Sequence, residues 1–252
     1  MRRTQIIHKL TKIVGTTPYA EKKEILTQLA KHLFNSSSKL NEDEAQTMFF
    51  ALVKIFHQAK PAIETLCMAC LRVISPLVEQ RFFATSSLQK IVDANKPTSS
   101  GALRLLSEVA DDNRTQMTVL SYLSNSNELM RAAAAISGVC ISSKQGVSFD
   151  KAIETSITVL QKDKKQKALY PLILFCCHVL SQTNDVRTVS RLCKTINPPG
   201  KDSITDDPYV HIALLRLTGS VLRIVRHRDA YLMGFLLSYL VPKQMNRTQK
   251  NF

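Results

Sequence analysis

The six cysteines have the widest range of possible chemistry in this sequence, because a thiolate binds metals, attacks electrophiles and forms disulfides. They are Cys67, Cys70, Cys140, Cys176, Cys177 and Cys193. Cys67 and Cys70 have the C-x-x-C spacing of zinc and redox sites, but no second ligand pair has a suitable spacing for zinc. Both also lie within an apolar helical pattern, whereas a redox pair begins a helix that follows a strand. We therefore predict packed core thiols, with no metal site and no cofactor.

The histidines and carboxylates predict no catalytic site either. None of the six histidines has another histidine four residues away, and no phosphate-binding glycine loop, G-x-S-x-G or H-E-x-x-H motif occurs. The acidic groups at 42–44 and 111–112 fall at predicted helix ends, where carboxylates cap helices and complement the helix dipole. We expect no catalytic residues, and a protein that is not an enzyme.

The charge of the chain is strongly basic and unevenly distributed. Its 34 Lys and Arg against 20 Asp and Glu give a net charge of +14. Residues 1–160 hold 19 basic and 14 acidic residues, a net +5, whereas 161–252 hold 15 and 6, a net +9. Such a surface favours anionic lipid, an acidic protein face or nucleic acid. The candidate contacts for a membrane or an acidic partner are Lys162, Lys164, Lys165, Lys167, Arg223, Arg226 and Arg228.

Helices must position these residues, because apolar side chains recur at a period near 3.6 along nearly the whole chain. The pattern predicts helices at 19–34, 41–58, 60–74, 76–93, 100–110, 113–123, 127–142, 148–161, 165–182, 184–195, 208–226 and 229–240. With seven glycines and no convincing strand, an all-β fold is excluded. The sequence predicts an all-α protein, an α-solenoid of HEAT- or armadillo-like helical hairpins. A compact orthogonal helical bundle is the alternative.

Three segments follow from this pattern: a basic amphipathic N-terminal segment at 1–18, a solenoid trunk at 19–242 and a polar basic tail at 243–252. Ile6, Leu10, Ile13 and Val14 share one helical face in the first segment, which is either a targeting sequence or a helix that docks on the trunk. No apolar run reaches the roughly 18–20 residues of a membrane span. Unpaired cysteines and the lack of a signal-peptide pattern predict a cytoplasmic protein.

Three stretches resemble the coatomer gamma subunit, of the adaptin and coatomer large-subunit family. They are MFFALVKIFHQAKPAIETLCMACLRVI at 48–74, ATSSLQKIVDANKP at 84–97 and ALRLLSEVADDN at 102–113. The resemblance continues more loosely over about 30–240 and covers the trunk of the family rather than its whole length. Family members usually begin with an acidic or polar extension, whereas this chain begins with a basic one, and they continue far beyond 252 residues. We therefore expect the chain to be a fragment, a divergent short form or a truncated gene model.

The resemblance implies an α-solenoid and a non-catalytic coat subunit of COPI vesicles in traffic between the Golgi and the endoplasmic reticulum. Implied partners are a zeta-type small subunit, the other coatomer subunits and a GTP-bound Arf-family GTPase. The implied location is the cytoplasm and, peripherally, the Golgi membrane and COPI-coated vesicles. By position in the family, the helices at 41–58 and 76–93 would meet the GTPase, and Phe50, Val53, Ala84 and Leu88 are the candidate contacts.

Two other functions fit the same residues. A generic HEAT-type adaptor would use its helical surface for an unrelated acidic protein. A basic helical protein could also bind nucleic acid through its Lys and Arg clusters, since binding to the phosphate backbone needs little more than such charge. Because no nucleic-acid-binding module is recognisable and few aromatic residues lie among these charges, we expect no nucleic acid.

Overall fold

The structure, a computed structural model, describes residues 3–35, 40–143, 148–162, 168–183 and 185–196, with 209, 212, 213, 215–217 and 219. Within these ranges the chain forms helices, turns and loops without a β-strand, which confirms the all-α prediction. Contacts divide the chain into two compact units. The first ends at Val119 and the second begins at Leu120. The predicted helices at 208–226 and 229–240 lie largely or wholly outside the described residues, as does the tail at 243–252.

The first unit consists of helical hairpins arranged in two layers. Its helices are α1 (Arg3–Thr11), α2 (Tyr19–Asn35), α3 (Glu42–Phe56), α4 (Pro61–Ile74), α5 (Arg81–Asp93), α6 (Ser99–Val109) and the greater part of α7 (Asn113–Ser121). The odd helices α1, α3 and α5 contact one another in order, and so do the even helices α2, α4 and α6. Within the hairpins, α1 contacts α2, α3 contacts α4 and α5 contacts α6. This order of contacts is that of stacked hairpins, and it agrees with the α-solenoid prediction.

The second unit repeats this packing order. It contains a short 3-10 helix (Tyr122–Ser124), then α8 (Glu128–Ser142), α9 (Asp150–Lys162), α10 (Leu169–Thr183) and α11 (Val186–Ile196). Helix α8 contacts α10 and α9 contacts α11, while α10 also contacts both α9 and α11. Phe175 of α10 is fully buried, and its ring lies where a side chain at Gly138 of α8 would have to be. Glycine at that position therefore lets the two helices approach closely.

Side-chain caps explain where several helices begin. The side chain of Asn41 accepts a hydrogen bond from the backbone N–H of Glu44 at 2.7 Å, and the Glu44 carboxylate accepts one from the backbone N–H of Asn41. This is the capping box that the residue types predict at the start of α3. At α8 the side chain of Asn127 accepts from the backbone N–H of Leu129 at 2.9 Å. Pro61 stands in the first turn of α4, as predicted.

The prediction of one continuous helix at 76–93 is wrong. Pro76 lies in a short 3-10 helix (Ser75–Leu77), and an irregular stretch separates that helix from α5, which starts at Arg81. The backbone of Val78 is extended, with φ −85° and ψ 113°, so the helix cannot continue through it.

The N-terminal segment begins with a short helix that docks on its neighbours. Ile6 and Leu10 of α1 are buried, and α1 contacts both α2 and α3. The guanidinium of Arg3 donates to the Glu44 carboxylate at 2.9 Å and to His32 Nε2 at 3.1 Å. The helix ends at Thr11, so Val14 lies beyond it and is exposed instead of extending the apolar face. Docking is thus the alternative that the structure supports.

Candidate interaction surface

The structure brings together the two helices proposed to meet a GTPase but buries most of the proposed residues. Helices α3 and α5 contact each other directly, as members of the odd layer. Ala84 and Leu88 of α5 are fully buried, and Val53 of α3 is only 7% exposed. Their apolar side chains fill the space between helices, which is what a period of 3.6 places there. These three residues therefore contribute to the core of the first unit and present no side-chain surface to a partner.

Phe50 differs from the other three candidates because part of its ring reaches solvent. It is half-buried and packs edge-to-face on Phe49, with ring centroids 5.6 Å apart and an interplanar angle of 88°. Phe49 itself is fully buried. Phe50 therefore lies at the edge of the core, where an aromatic side chain can contact both the protein interior and a partner.

Two neighbouring exposed aromatic side chains at the start of α5 were not predicted from the sequence. Phe82 is 74% exposed and Phe83 57% exposed, and their rings pack edge-to-face with centroids 5.6 Å apart. Leu77, just before the break that precedes α5, is also exposed. We call these three residues the Phe82 patch. The sequence predicts one continuous helix at 76–93, and that prediction does not place a helix start near Phe82 and Phe83.

A carboxylate, Glu79, lies within the segment of chain that carries the Phe82 patch. The side chain of Glu42, at the start of α3, hydrogen-bonds the side chain of Glu79, which lies between Leu77 and Phe82 in the chain. The negative charge of Glu79, followed by that hydrogen bond, raises the pKa of the Glu42 carboxyl above its ordinary value. Asp43 adds a further negative charge with the same effect. Glu79, between Leu77 and Phe82 in the chain, therefore lies close to other carboxylates, in a chain whose net charge is +14.

The basic candidates can be placed only in part. Lys162 is exposed at the end of α9, whereas Lys164, Lys165, Lys167, Arg223, Arg226 and Arg228 lie outside the described residues. Not every basic residue of this half is available to a partner. Arg191 of α11 forms a bidentate ion pair with Glu154 of α9, with N–O distances of 2.6 and 2.9 Å.

The cysteines lie where apolar side chains would. Cys67, Cys70, Cys176, Cys177 and Cys193 are buried, which confirms the prediction for five of the six; Cys140 is exposed on α8. Burial raises the pKa of Cys70 and of Cys176 to about 12 and that of Cys193 to about 11, and it raises those of Cys67 and Cys177 as well. Such thiols stay protonated at neutral pH, and a protonated thiol is neither a nucleophile nor a metal ligand. Among the described residues, no three His, Cys, Asp or Glu side chains are grouped so that they could hold a metal ion.

None of the helices in the described ranges combines the length and the hydropathy that a membrane crossing requires.

Hairpins stacked in two layers, without a strand in the described residues, define an all-α helical-repeat protein. No protein-family profile matches the chain. Among curated proteins it is similar to coatomer gamma subunits. It is 25% identical over 241 residues to coatomer subunit gamma-1 of Homo sapiens, a match that covers 92% of this chain and 26% of the relative. It is also 25% identical over 215 residues to coatomer subunit gamma-2 of Oryza sativa subsp. japonica, a match that covers 79% of this chain and 22% of the relative.

These similarities are distant but extend over nearly the whole chain. Coatomer subunit gamma-1 of Mus musculus is a further relative, at 24% identity over 244 residues. The chain spans about a quarter of the length of these curated relatives. They support a distant relation of the coatomer and adaptin type, which agrees in part with the resemblance of the three quoted stretches.

Proposed function

We propose that this chain is a non-catalytic coat subunit of the coatomer gamma type, which acts in vesicle transport. The observation that carries the proposal is the similarity to coatomer gamma subunits over 92% of the chain, together with hairpins stacked in two layers. A distant similarity maintained over that length fits a common scaffold better than a shared motif would. In this role the chain binds the other subunits of a coat, a zeta-type small subunit among them.

Recruitment is the proposed mechanism: a GTP-bound Arf-family GTPase docks on the chain and brings it to Golgi membranes as part of a COPI coat. Phe50 supports a docking surface at the α3–α5 face, because its partly exposed ring is continuous with the core beneath it. A few aromatic anchors of this kind supply most of the affinity in protein interfaces. Val53, Ala84 and Leu88 would then hold α3 and α5 in place instead of touching the GTPase.

The decisive experiment is a pull-down of the whole chain with an Arf-family GTPase loaded with GTP or with GDP. We expect recovery from the GTP-loaded state and little from the GDP-loaded one. A Thr47→Arg variant introduces a long cation one turn from Phe50 on the exposed side of α3, and it should reduce recovery about tenfold. Thr158→Arg, at an exposed position of α9 in the second unit, is the matched control and should behave as the wild type.

Equal recovery from both nucleotide states would refute the recruitment mechanism and leave a generic HEAT-type adaptor as the better description. Retention on RNA or DNA, with affinity that falls steeply as salt rises, would instead identify a nucleic-acid binder. The coat-subunit proposal has a separate readout, which is co-purification of the chain with the other coatomer subunits.

A further inference from the structure

The outward face of α1 carries positive charge that is available to a partner. Residues 1–20 contain four Lys or Arg and no Asp or Glu. Arg3 is half-buried and its guanidinium donates to the Glu44 carboxylate at 2.9 Å, so its charge is used within the fold. Lys9 is exposed, and in the part of the chain that the structure describes it forms no ion pair. Its charge therefore remains to attract an anion.

A cavity of about 490 Å³ lies against this face of α1. Its described lining consists of two pairs of exposed residues that are one helical turn apart, namely Thr4, Gln5, His8 and Lys9. Each of these side chains can donate a hydrogen bond, and none is acidic. Binding sites for ordinary small molecules are lined mainly by apolar side chains, so this lining suits an anion instead. We call the space that these four residues line the α1 cavity.

The opposite face of α1 holds the lining residues in position. Ile6 and Leu10 are buried, and α1 contacts both α2 and α3. Arg3 adds a polar anchor through Glu44 and through His32, whose Nε2 accepts from the guanidinium at 3.1 Å. Because the helix is already ordered, a ligand of the α1 cavity has no backbone entropy to remove there.

The packing of α1 also distinguishes between two kinds of anionic partner. An amphipathic helix binds a membrane by inserting its apolar residues into the bilayer. Ile6 and Leu10 cannot do so while they are buried against the neighbouring helices. What α1 presents is a concave polar site, which admits the side chains of a polypeptide better than it fits a flat lipid surface.

We propose that the α1 cavity binds an acidic segment of a partner protein, whose Asp or Glu carboxylates accept hydrogen bonds from Thr4, His8 and Lys9. The ammonium group of Lys9 supplies the charge, and hydrogen bonds between ionised groups are the stronger ones. The cavity is much larger than one carboxylate, so it has room for more than one acidic side chain of the segment. This inference goes beyond the proposed coat role and does not depend on it.

Fluorescence anisotropy of a labelled synthetic peptide with the whole chain tests the inference. The probe has about twelve residues in which Glu alternates with Gly and Ser, and the comparison peptide has Gln in place of every Glu. We expect the acidic peptide to bind and the Gln peptide to bind at least about tenfold more weakly. Raising the salt concentration should weaken binding of the acidic peptide, since the attraction is between exposed charges.

Variants of the whole chain separate the α1 cavity from the general attraction of a basic protein. Lys9→Glu places a like charge against the peptide and should weaken binding about tenfold. Thr4→Val removes one donor without changing the charge and should weaken binding about threefold. Lys23→Glu is the matched control, because it makes the same change in net charge at an exposed position of α2 and should alter the affinity little. Circular dichroism of each variant shows whether the helices are retained.

Three results would overturn the inference. Equal effects of Lys9→Glu and Lys23→Glu would show that net charge alone attracts the peptide. Binding of single-stranded DNA that is tighter than that of the peptide and is lost in Lys9→Glu would identify a nucleic acid as the ligand. Binding to phosphatidylserine vesicles that Lys9→Glu abolishes, without binding of the acidic peptide, would identify a membrane surface.

Discussion

The packing of the second unit depends on the absence of a side chain at Gly138. A Cβ built there would lie 2.5 Å from Phe175 Cε2 and 2.7 Å from Phe175 Cδ2. Both Gly138 and the Phe175 ring are buried, so the ring cannot swing out into solvent to make room. The close approach of α8 and α10 therefore requires glycine, although glycine within a helix is intrinsically unfavourable.

We expect Gly138→Ala to destabilise the protein by about 1–3 kcal/mol, the cost of overpacking a filled core. Urea unfolding, followed by circular dichroism, measures the change. Gly15→Ala is the control, because a Cβ at Gly15 would make an ordinary contact of 3.6 Å with Gln58 Oε1 and should alter stability little. An unchanged unfolding midpoint for Gly138→Ala would show that α8 and α10 separate without cost.

At the residue scale, the sequence predicts burial better than it predicts surface. The apolar period correctly places five cysteines in the core, because any residue on an apolar helical face is buried once the hairpins stack. The same period cannot separate a core position from a docking position on one helix. Val53, Ala84 and Leu88 illustrate this: they have the spacing expected of an apolar patch, and they are buried.

At the scale of single elements, Asp185 is the clearest case of a helix start that depends on charge. Its carboxylate accepts hydrogen bonds from the Thr188 hydroxyl at 2.5 Å and from the backbone N–H groups of Arg187 and Thr188 at 3.0 and 3.2 Å. These bonds, the Thr188 hydroxyl first, lower the pKa of Asp185 below its ordinary value. The residue thereby satisfies backbone donors at the start of α11 that no helical carbonyl reaches.

A carboxyl whose pKa is lowered by folding stabilises the protein at pH values above its pKa in the unfolded chain. This stabilisation is lost as the pH falls through the pKa of the folded state. We expect wild type to be more stable than Asp185→Asn at about pH 6, because asparagine retains the acceptor but not the charge. The difference should shrink as pH falls from about 5 to about 2. Urea midpoints of both proteins at each pH measure it, and a difference that grows on acidification would contradict this account.

Element boundaries show what local sequence signals can and cannot predict. The capping box at Asn41 and the proline of α4 are read directly from residue types, and the structure confirms both. The break at 78–80 has no comparable signal, because Pro76 suits the first turn of an α-helix as well as a 3-10 helix. The ion pair of Arg81 with Asp111, which follows α6 in the same hairpin, joins residues 30 positions apart, so local patterns do not contain it.

At the scale of the whole molecule, the excess of positive charge after residue 160 is the feature that calls for a test. We propose that it binds anionic membrane lipid and expect the chain to co-sediment with vesicles that contain phosphatidylserine. Each Lys near such a surface contributes about 1 kcal/mol at moderate salt. Replacing Lys162, Lys164, Lys165 and Lys167 by Ser should therefore weaken co-sedimentation strongly.

The control removes the same charge elsewhere. Replacing the exposed Lys12, Lys23, Lys31 and Lys151 by Ser gives the same change in net charge and should reduce co-sedimentation much less. If both sets of substitutions act equally, net charge alone attracts the chain to the vesicles and the lysines at 162–167 have no special role. Sedimentation at two salt concentrations measures the electrostatic share of the binding.

The two-layer packing also has a consequence for how the chain folds. The contacts found between the described helices join elements one or two apart in sequence, so these contacts close only short loops. Proteins with such low contact order fold quickly, because little chain entropy is lost before a contact forms. Folding can start at any hairpin and spread to the next, and the first hairpins can begin to fold during synthesis while later ones are still being made.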